Sequence, residues 1–144
     1  MRKTILSALI LLSISVIIYS CQNATEKELM TYTTNGADIY KAKCQNCHGE
    51  KGEGLAALAP PLTDTTFLKV NKKDLSCFVK FGSAKPMVIN GTTYDSKMPA
   101  FPEMEAIDIA QVIVYITNSF GNKQGMYSYE QVSKDLEACR PVVN

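Results

Sequence analysis

One short run of the sequence constrains this chain more than any other: residues 44–48 read Cys, Gln, Asn, Cys, His, a C-x-x-C-H motif. This spacing is typical of a site at which haem is attached covalently. Two thiols one helical turn apart can each form a thioether with one vinyl group of the same porphyrin, and the adjacent imidazole then lies against the iron. The motif therefore predicts one covalently bound haem c per chain, attached through Cys44 and Cys47 and ligated by His48.

Zinc sites and thiol-disulfide redox centres also use a C-x-x-C pair. A structural zinc site needs four ligands, usually from a second such pair, but His48 is the only histidine and the remaining cysteines stand apart in the sequence. A thioredoxin-like centre places the pair at the start of a helix after a strand, whereas here the pair is predicted to close a helix. Cysteines that only pack would not explain the adjacent histidine. Haem attachment is therefore favoured over these alternatives.

The first 20 residues are ordered like an export signal, with basic Arg2 and Lys3 before an apolar run over 5–19. A transmembrane helix is the rival interpretation, but serines interrupt the run, and it is shorter than the roughly 20 residues that a span requires. Its end resembles the lipobox of bacterial lipoproteins, with Tyr19 in place of the usual small residue. In such proteins the cysteine becomes the lipid-modified first residue. We therefore predict a signal peptide over 1–20 and a lipid anchor at Cys21.

Two further cysteines, Cys77 and Cys139, remain after the lipid and haem sites are assigned. An oxidising compartment permits them to form a disulfide. The alternative is two buried free thiols, which are common in protein cores. The disulfide is the favoured prediction, and it would tie a central helix to the last one.

Charge excludes one class of function. Removal of residues 1–20 takes away Arg2 and Lys3, so that 13 of the 15 basic residues remain against 14 acidic residues. A nearly neutral chain lacks the strong basic surface that nucleic-acid binding requires. One short stretch does concentrate lysines, which are either a solvated face or a patch that steers an acidic redox partner. They are Lys69, Lys72, Lys73, Lys80 and Lys85.

The polar residues 22–35 show no apolar period, and we predict that 21–35 form a lipidated N-terminus and flexible linker. Asn35 is a candidate cap for a helix that leads to the haem motif. Gly36 weakens such a helix by roughly 1 kcal/mol, which suggests that another backbone crosses closely there. The domain is predicted to span 36–140.

The rest of the pattern predicts a mostly helical domain. Asn71 is a candidate cap for a helix that stops at Gly82. Residues 88–94 look like a short hairpin, because Asn-Gly suits a turn with positive φ at both central positions. The clearest helix covers about 105–119, where apolar residues recur at helical spacing, and Ser128 with Gln131 offers a capping box for a last helix that runs to about Cys139.

These features together resemble a monohaem class I cytochrome c. The resemblance covers most of 36–140 and rests on Gly36 and Tyr40 before CQNCH, the glycine-rich loop that ends in PPL, the MPAF stretch and the helix end YITNSFGN. It implies an all-α class I cytochrome c fold, with the haem enclosed by three to five helices and a short β-hairpin. It also implies that Gly36 and Tyr40 meet Val112 and Tyr115 where two helices cross.

Further site residues follow from the resemblance. A proline carbonyl in the PPL-type loop accepts the proton of the axial histidine, and Pro60 matches best. An axial imidazole needs such an acceptor to fix its tautomer and ring orientation. Leu62 is a candidate for the pocket wall, although a plain core role fits it as well, and Tyr94 and Phe101 are expected to flank the sixth ligand.

The chain has no second histidine, so a methionine is the expected sixth ligand of the iron. A soft thioether of this kind favours the reduced state of the iron. The candidate that matches the family's ligand position is Met98, which Pro99 stiffens; a methionine that only fills core space is the alternative. The other candidates are Met30, Met87, Met104 and Met126.

The predicted function is that of a single-haem electron carrier, not an enzyme, on the periplasmic side or cell surface. It would pass one electron at a time between membrane or periplasmic redox enzymes of a respiratory chain. VINGTTY before KMPAF, and NSFGN, resemble small cytochromes that serve with copper nitrite reductases, terminal oxidases and quinoprotein dehydrogenases. The rival is a haem-based sensor or small peroxidase-like enzyme, which requires an open sixth site.

Overall fold

The computed structural model describes residues 2–139, with side chains at all of these positions except 2–4, 8 and 16–24. The chain divides into two compact units, one up to Thr31 and the other from Tyr32 onward. Within the described part, six helices and one two-stranded antiparallel sheet are formed. In chain order they are α1 (Arg2–Lys43), α2 (Gln45–His48), α3 (Thr65–Val70), α4 (Leu75–Phe81), β1 (Met87–Ile89), β2 (Thr92–Tyr94), α5 (Ala106–Asn118) and α6 (Tyr129–Ala138).

The prediction of a flexible linker over 21–35 is wrong, because α1 continues through it without a break. No proline or glycine occurs between Arg2 and Asn35, and Glu26, Lys27 and Leu29 are strong helix formers. Asn35 therefore lies inside the helix and does not cap it. The predicted lipid site at Cys21 falls among the positions whose side chains are not described. Among the described residues, no helix is both long enough and apolar enough to span a bilayer.

Gly36 marks the place where α1 meets α5. A Cβ atom on Gly36 would lie 2.1 Å from the carbonyl oxygen of Gln111 and 2.8 Å from the Cβ of Tyr115. Only glycine permits this approach. Next to the contact, the rings of Tyr40 and Tyr115 lie 5.3 Å apart between centroids, and Phe120 completes the aromatic cluster. The predicted crossing is present, and the atoms nearest to Gly36 belong to Gln111 and Tyr115.

The region before the hairpin contains one more helix than was predicted. Asp64 caps α3 by accepting hydrogen bonds from the backbone N–H groups of Thr66 and Phe67. Asn71, predicted to start the next helix, instead ends α3, and α4 begins after Asp74. The predicted stop of α4 at Gly82 is confirmed, since this residue adopts a φ of 71° that favours glycine.

The hairpin and the last two helices follow their sequence signals. Asn90 and Gly91 have φ values of 50° and 76° between β1 and β2, as the Asn-Gly pair predicted. Buried Ile109 and Ile113 place one face of α5 in the core, and Ser128 forms its capping box at the start of α6. The structure joins Cys77 of α4 to Cys139 at the end of α6 in a disulfide.

Candidate haem site

The C-x-x-C-H motif folds as a single helical turn directly after α1. The backbone N–H groups of Cys47 and His48 both donate to the carbonyl oxygen of Cys44, so the two thiols and the imidazole project from one turn. Both cysteines are free, Cys44 half-buried and Cys47 exposed. Burial raises the pKa of the Cys44 thiol to about 11, so the free thiol is protonated near neutral pH.

The imidazole of His48 has a fixed orientation. Its Nδ1 lies 2.9 Å from the carbonyl oxygen of Pro60. A carbonyl only accepts, so Nδ1 carries the proton and Nε2 keeps its lone pair. Burial lowers the pKa of His48, an effect that the Pro60 hydrogen bond partly opposes. The imidazole is thus held as a neutral ligand with Nε2 available to a metal.

A compact loop brings Pro60 back to the histidine. The N–H of Gly54 donates to the carbonyl of His48, and the N–H of Leu62 donates to the carbonyl of Gly52. Gly54 has a φ of 77°, and a Cβ atom there would lie 2.6 Å from the carbonyl oxygen of Ala59. Only glycine allows the loop to fold this tightly.

A buried amide ties this loop to α3 and α5. Asn122 is 1% exposed, and its side-chain nitrogen donates to the carbonyls of Leu62 and Ile116, each at 2.9 Å. Its side-chain oxygen accepts from the hydroxyl of Thr65 at 2.7 Å. Asn122 ends the NSFGN stretch, but no sequence spacing indicates this role, because its acceptors are backbone carbonyls.

Met98 lies in a loop between β2 and α5. Its backbone exchanges two hydrogen bonds with Ser83, at 2.9 and 3.1 Å. Gly82 precedes this contact, and a Cβ atom there would lie 2.4 Å from the carbonyl oxygen of Met98. The turn after α4 is thus the support on which the Met98 backbone rests.

All of these elements surround one cavity of about 1070 Å³, measured with its open mouth included. Every predicted haem-site residue lines it: Cys44, Cys47, His48, Pro60, Leu62, Tyr94 and Met98. Met87 and Phe101 line it too. The apolar wall that the sequence analysis did not assign comprises Leu58, Phe67, Leu68, Leu75, Phe78, Val79, Val112 and Ile116. The cap at Asp64 and the apolar pair that follows it were the signal that could have indicated α3 as part of this wall.

This cavity suits a haem group by its chemistry. A porphyrin needs an apolar enclosure, and its vinyl groups need two thiols one turn apart, as Cys44 and Cys47 provide. The free Nε2 of His48 is a ligand of the right type for iron. Elsewhere in the described part of the chain, no cluster of three histidine, cysteine or acidic side chains could hold a metal ion.

Comparison with known proteins places this geometry in a family. The model of the family described as "Cytochrome C oxidase, cbb3-type, subunit III" matches residues 32–116. Over 129 residues the chain is 30% identical to the fructose dehydrogenase cytochrome subunit of Gluconobacter japonicus, covering 81% of this chain and 25% of that protein. Over 115 residues it is also 30% identical to the cytochrome c subunit of the quinone alcohol dehydrogenase of Gluconacetobacter polyoxogenes, covering 78% and 24%.

A shorter relative is matched over more of its length. Cytochrome c-552 of Thermus thermophilus is 24% identical over 100 residues, which cover 67% of this chain and 76% of that protein. The chain spans only about a quarter of the length of the dehydrogenase subunits. Because the family model covers residues 32–116, more than half of a 144-residue chain, the protein belongs to the cytochrome c family, as a monohaem class I electron-transfer protein with covalently bound haem c.

Proposed function

We propose that this cytochrome is an exported, lipid-anchored electron carrier, and not an enzyme, and that His48 and Met98 would be the residues that bind its haem iron. The observation that carries the proposal is the single cavity lined by both residues. The chain has one histidine, already held by Pro60, so a methionine is the natural sixth ligand. A filled sixth site favours a carrier over a sensor or a peroxidase-like enzyme.

Different residues of the chain would have different roles in such a carrier. Cys44 and Cys47 tether the group, and Pro60 holds the ring of His48 in one orientation. The apolar wall keeps water away. Haem iron supplies reversible one-electron transfer, and the combination of histidine and methionine ligands raises its potential relative to two histidines. Because the supporting contacts are fixed hydrogen bonds, little of the protein has to move when an electron is gained or lost.

Met98→Ala tests the axial assignment, with Met87→Ala as the matched control, because Met87 lines the same cavity. The oxidised wild-type protein is expected to show a weak red-edge sulfur-to-iron band. Met98→Ala is expected to lose the band, to keep its covalent haem and to bind carbon monoxide readily when reduced. Its potential is expected to fall, because the soft ligand that favours ferrous iron has gone.

Two results would reject this assignment. Loss of the band in Met87→Ala but not in Met98→Ala would make Met87 the ligand. Fast, stoichiometric carbon monoxide binding by the reduced wild-type protein at neutral pH would favour the sensor or enzyme alternative.

We also propose that the donor and acceptor are redox enzymes in or near a membrane. Two of the relatives are cytochrome subunits of dehydrogenases, which supports a dehydrogenase as one partner class. Respiratory-chain partners of this kind suit a carrier that is held at the periplasmic side of a membrane or on the cell surface.

The proposed anchor is a lipid on Cys21, at the end of the apolar run. Ile5, Leu9 and Leu12 of that run are exposed. Cys21→Ser is expected to move the haem protein from the membrane to the soluble fraction, or to leave an uncleaved precursor. A correctly cleaved Cys21→Ser protein that still sediments with membranes would refute lipidation at this residue.

A further inference from the structure

The loop that carries Met98 has to hold its shape without helix or strand of its own. It covers residues 95–105, between β2 and α5, and is called the Met98 loop below. A ligand on an unsupported loop would leave the iron often. The contacts that the loop makes with neighbouring elements therefore decide how firmly Met98 is held.

Most of these contacts come from α4 and the turn after it. The backbone of Ser83 pairs with Met98, and the N–H of Phe101 donates to the carbonyl of Val79 at 3.2 Å. These are backbone contacts, which do not depend on the side chains of the residues that make them. They hold the loop through residue 101.

The end of the loop is held by a side chain of α4. The Nζ of Lys80 donates to the carbonyl oxygen of Pro102 and to that of Met104, each at 2.8 Å. Hydrogen bonds from a charged donor are about twice as strong as those between neutral groups. One ammonium group thus joins two carbonyls of the Met98 loop to the helix whose end supports Met98.

A second lysine, on α1, also contacts this segment. The Nζ of Lys43, next to the haem cysteine Cys44, lies 2.9 Å from Oε1 of Glu103 and 5.5 Å from the centre of the Phe101 ring. The side chains of Lys43 and Glu103 are 37% and 60% exposed. Ion pairs as exposed as this one contribute little, so Lys80 is the stronger of the two supports.

From this geometry we propose that Lys80 is a positioning residue for Met98. It does not touch the iron; it fixes the end of the Met98 loop so that the thioether stays at the sixth site. The inference rests on the proposed axial role of Met98. Without the ammonium, the carbonyls of Pro102 and Met104 lose their donor, and the loop is tied to α4 by backbone contacts alone.

The test compares Lys80→Leu with Lys73→Leu, a variant that removes the same charge from an exposed turn between α3 and α4. The rate at which the reduced holoprotein binds carbon monoxide reports how often Met98 leaves the iron. Since loss of even one charge-assisted hydrogen bond shifts an opening equilibrium by a factor of about ten, we expect Lys80→Leu to bind carbon monoxide about tenfold faster than wild type. Lys73→Leu is expected to match wild type.

A second measurement does not depend on the haem. Hydrogen exchange of the amides of Met98 and Phe101 is expected to accelerate in Lys80→Leu, while that of the buried amide of Val132 in α6 stays as in wild type. Lys80→Arg keeps a charged donor, and we expect it to restore part of the protection.

Failure of the proposal is distinguishable from failure of the Met98 assignment. If wild type shows the sulfur-to-iron band and Met98→Ala loses it, yet Lys80→Leu binds carbon monoxide and exchanges its loop amides like wild type, Lys80 has no positioning role. If wild type lacks the band altogether, Met98 is not the ligand, and accelerated exchange in Lys80→Leu would then show support of the loop only, which also overturns the inference.

Discussion

The two sides of the haem cavity are held by different kinds of interaction. The His48 side is held by hydrogen bonds between neutral groups. One of them joins the side chain of Asn122, which is almost fully buried, to the carbonyl of Leu62. On the Met98 side, lysine ammonium groups near solvent hold an irregular loop. Buried hydrogen bonds are hardly affected by salt, whereas exposed charges are screened. We therefore expect the Met98 side to open before the His48 side as the salt concentration is raised.

Removal of the disulfide is expected to have the largest effect on the difference between the two sides, because this bond ties α4, the helix that supports the Met98 loop, to the end of α6. Its cysteines are 62 residues apart. In the chain-entropy model a loop of about this length gives roughly 4 kcal/mol of stability. The double variant Cys77→Ala/Cys139→Ala is expected to lose about that much free energy of unfolding, measured with guanidinium, and to lose the sulfur-to-iron band at a lower denaturant concentration than wild type.

Thiol alkylation of the denatured, unreduced protein provides the check on this bond. Two free thiols per haem-loaded chain would contradict the disulfide. If the double variant loses the band and unfolds at guanidinium concentrations that are lowered by the same amount, the bond stabilises both sides of the cavity alike.

Asn122→Ala is expected to act next most strongly and on the His48 side. The carbonyls of Leu62 and Ile116 lose their donor, and the hydroxyl of Thr65 loses its acceptor. Unpaired buried groups of this kind cost about 3 kcal/mol in total. Gln124→Ala is the matched control, since neither polar atom of the Gln124 side chain has a protein partner, and we expect it to change the unfolding free energy by less than about 1 kcal/mol. Equal losses in the two variants would contradict the role of Asn122.

The smallest expected effect concerns Tyr40, whose hydroxyl donates to the carbonyl of Gly49 beside the haem motif. Tyr40→Phe keeps the ring contacts and is expected to lower stability by about 1 kcal/mol near neutral pH. Burial raises the pKa of Tyr40 above its ordinary value of 10.0. The folded state thus favours the neutral phenol, and this contribution is complete below pH 10 and declines as the pH rises beyond it.

Tyr40→Phe is therefore expected to flatten the loss of stability between pH 10 and pH 11, as followed by far-ultraviolet circular dichroism in guanidinium. Tyr129→Phe, at an exposed tyrosine, is the control and is expected to keep the wild-type slope. If the slopes of the Tyr40→Phe variant and wild type coincide, ionisation of this phenol has no part in alkaline unfolding.

The same contrast explains what the sequence could predict. The His48 motif, Pro60 and the Asn-Gly hairpin depend on residue types with special chemistry at short spacing, and their placement agrees with the sequence analysis. Asn122 and Lys80 donate to backbone carbonyls far away in the chain. Every residue has a backbone carbonyl, so no sequence spacing indicates which carbonyls accept these hydrogen bonds. Residues 21–35 lack the apolar period by which a helix is predicted, and the helix there agrees only with the strong helix formers Glu26, Lys27 and Leu29.

The disulfide also has a consequence for how the protein matures. Cys44 and Cys47 have to stay reduced until haem is attached, whereas Cys77 and Cys139 have to be oxidised, and in an exported protein both events take place in one compartment. Thiolate is the species that enters disulfide exchange, and burial of Cys44 raises its pKa to about 11, so this thiol enters exchange slowly in the folded chain. In the folded chain, burial would thus slow the oxidation of Cys44 before haem is attached.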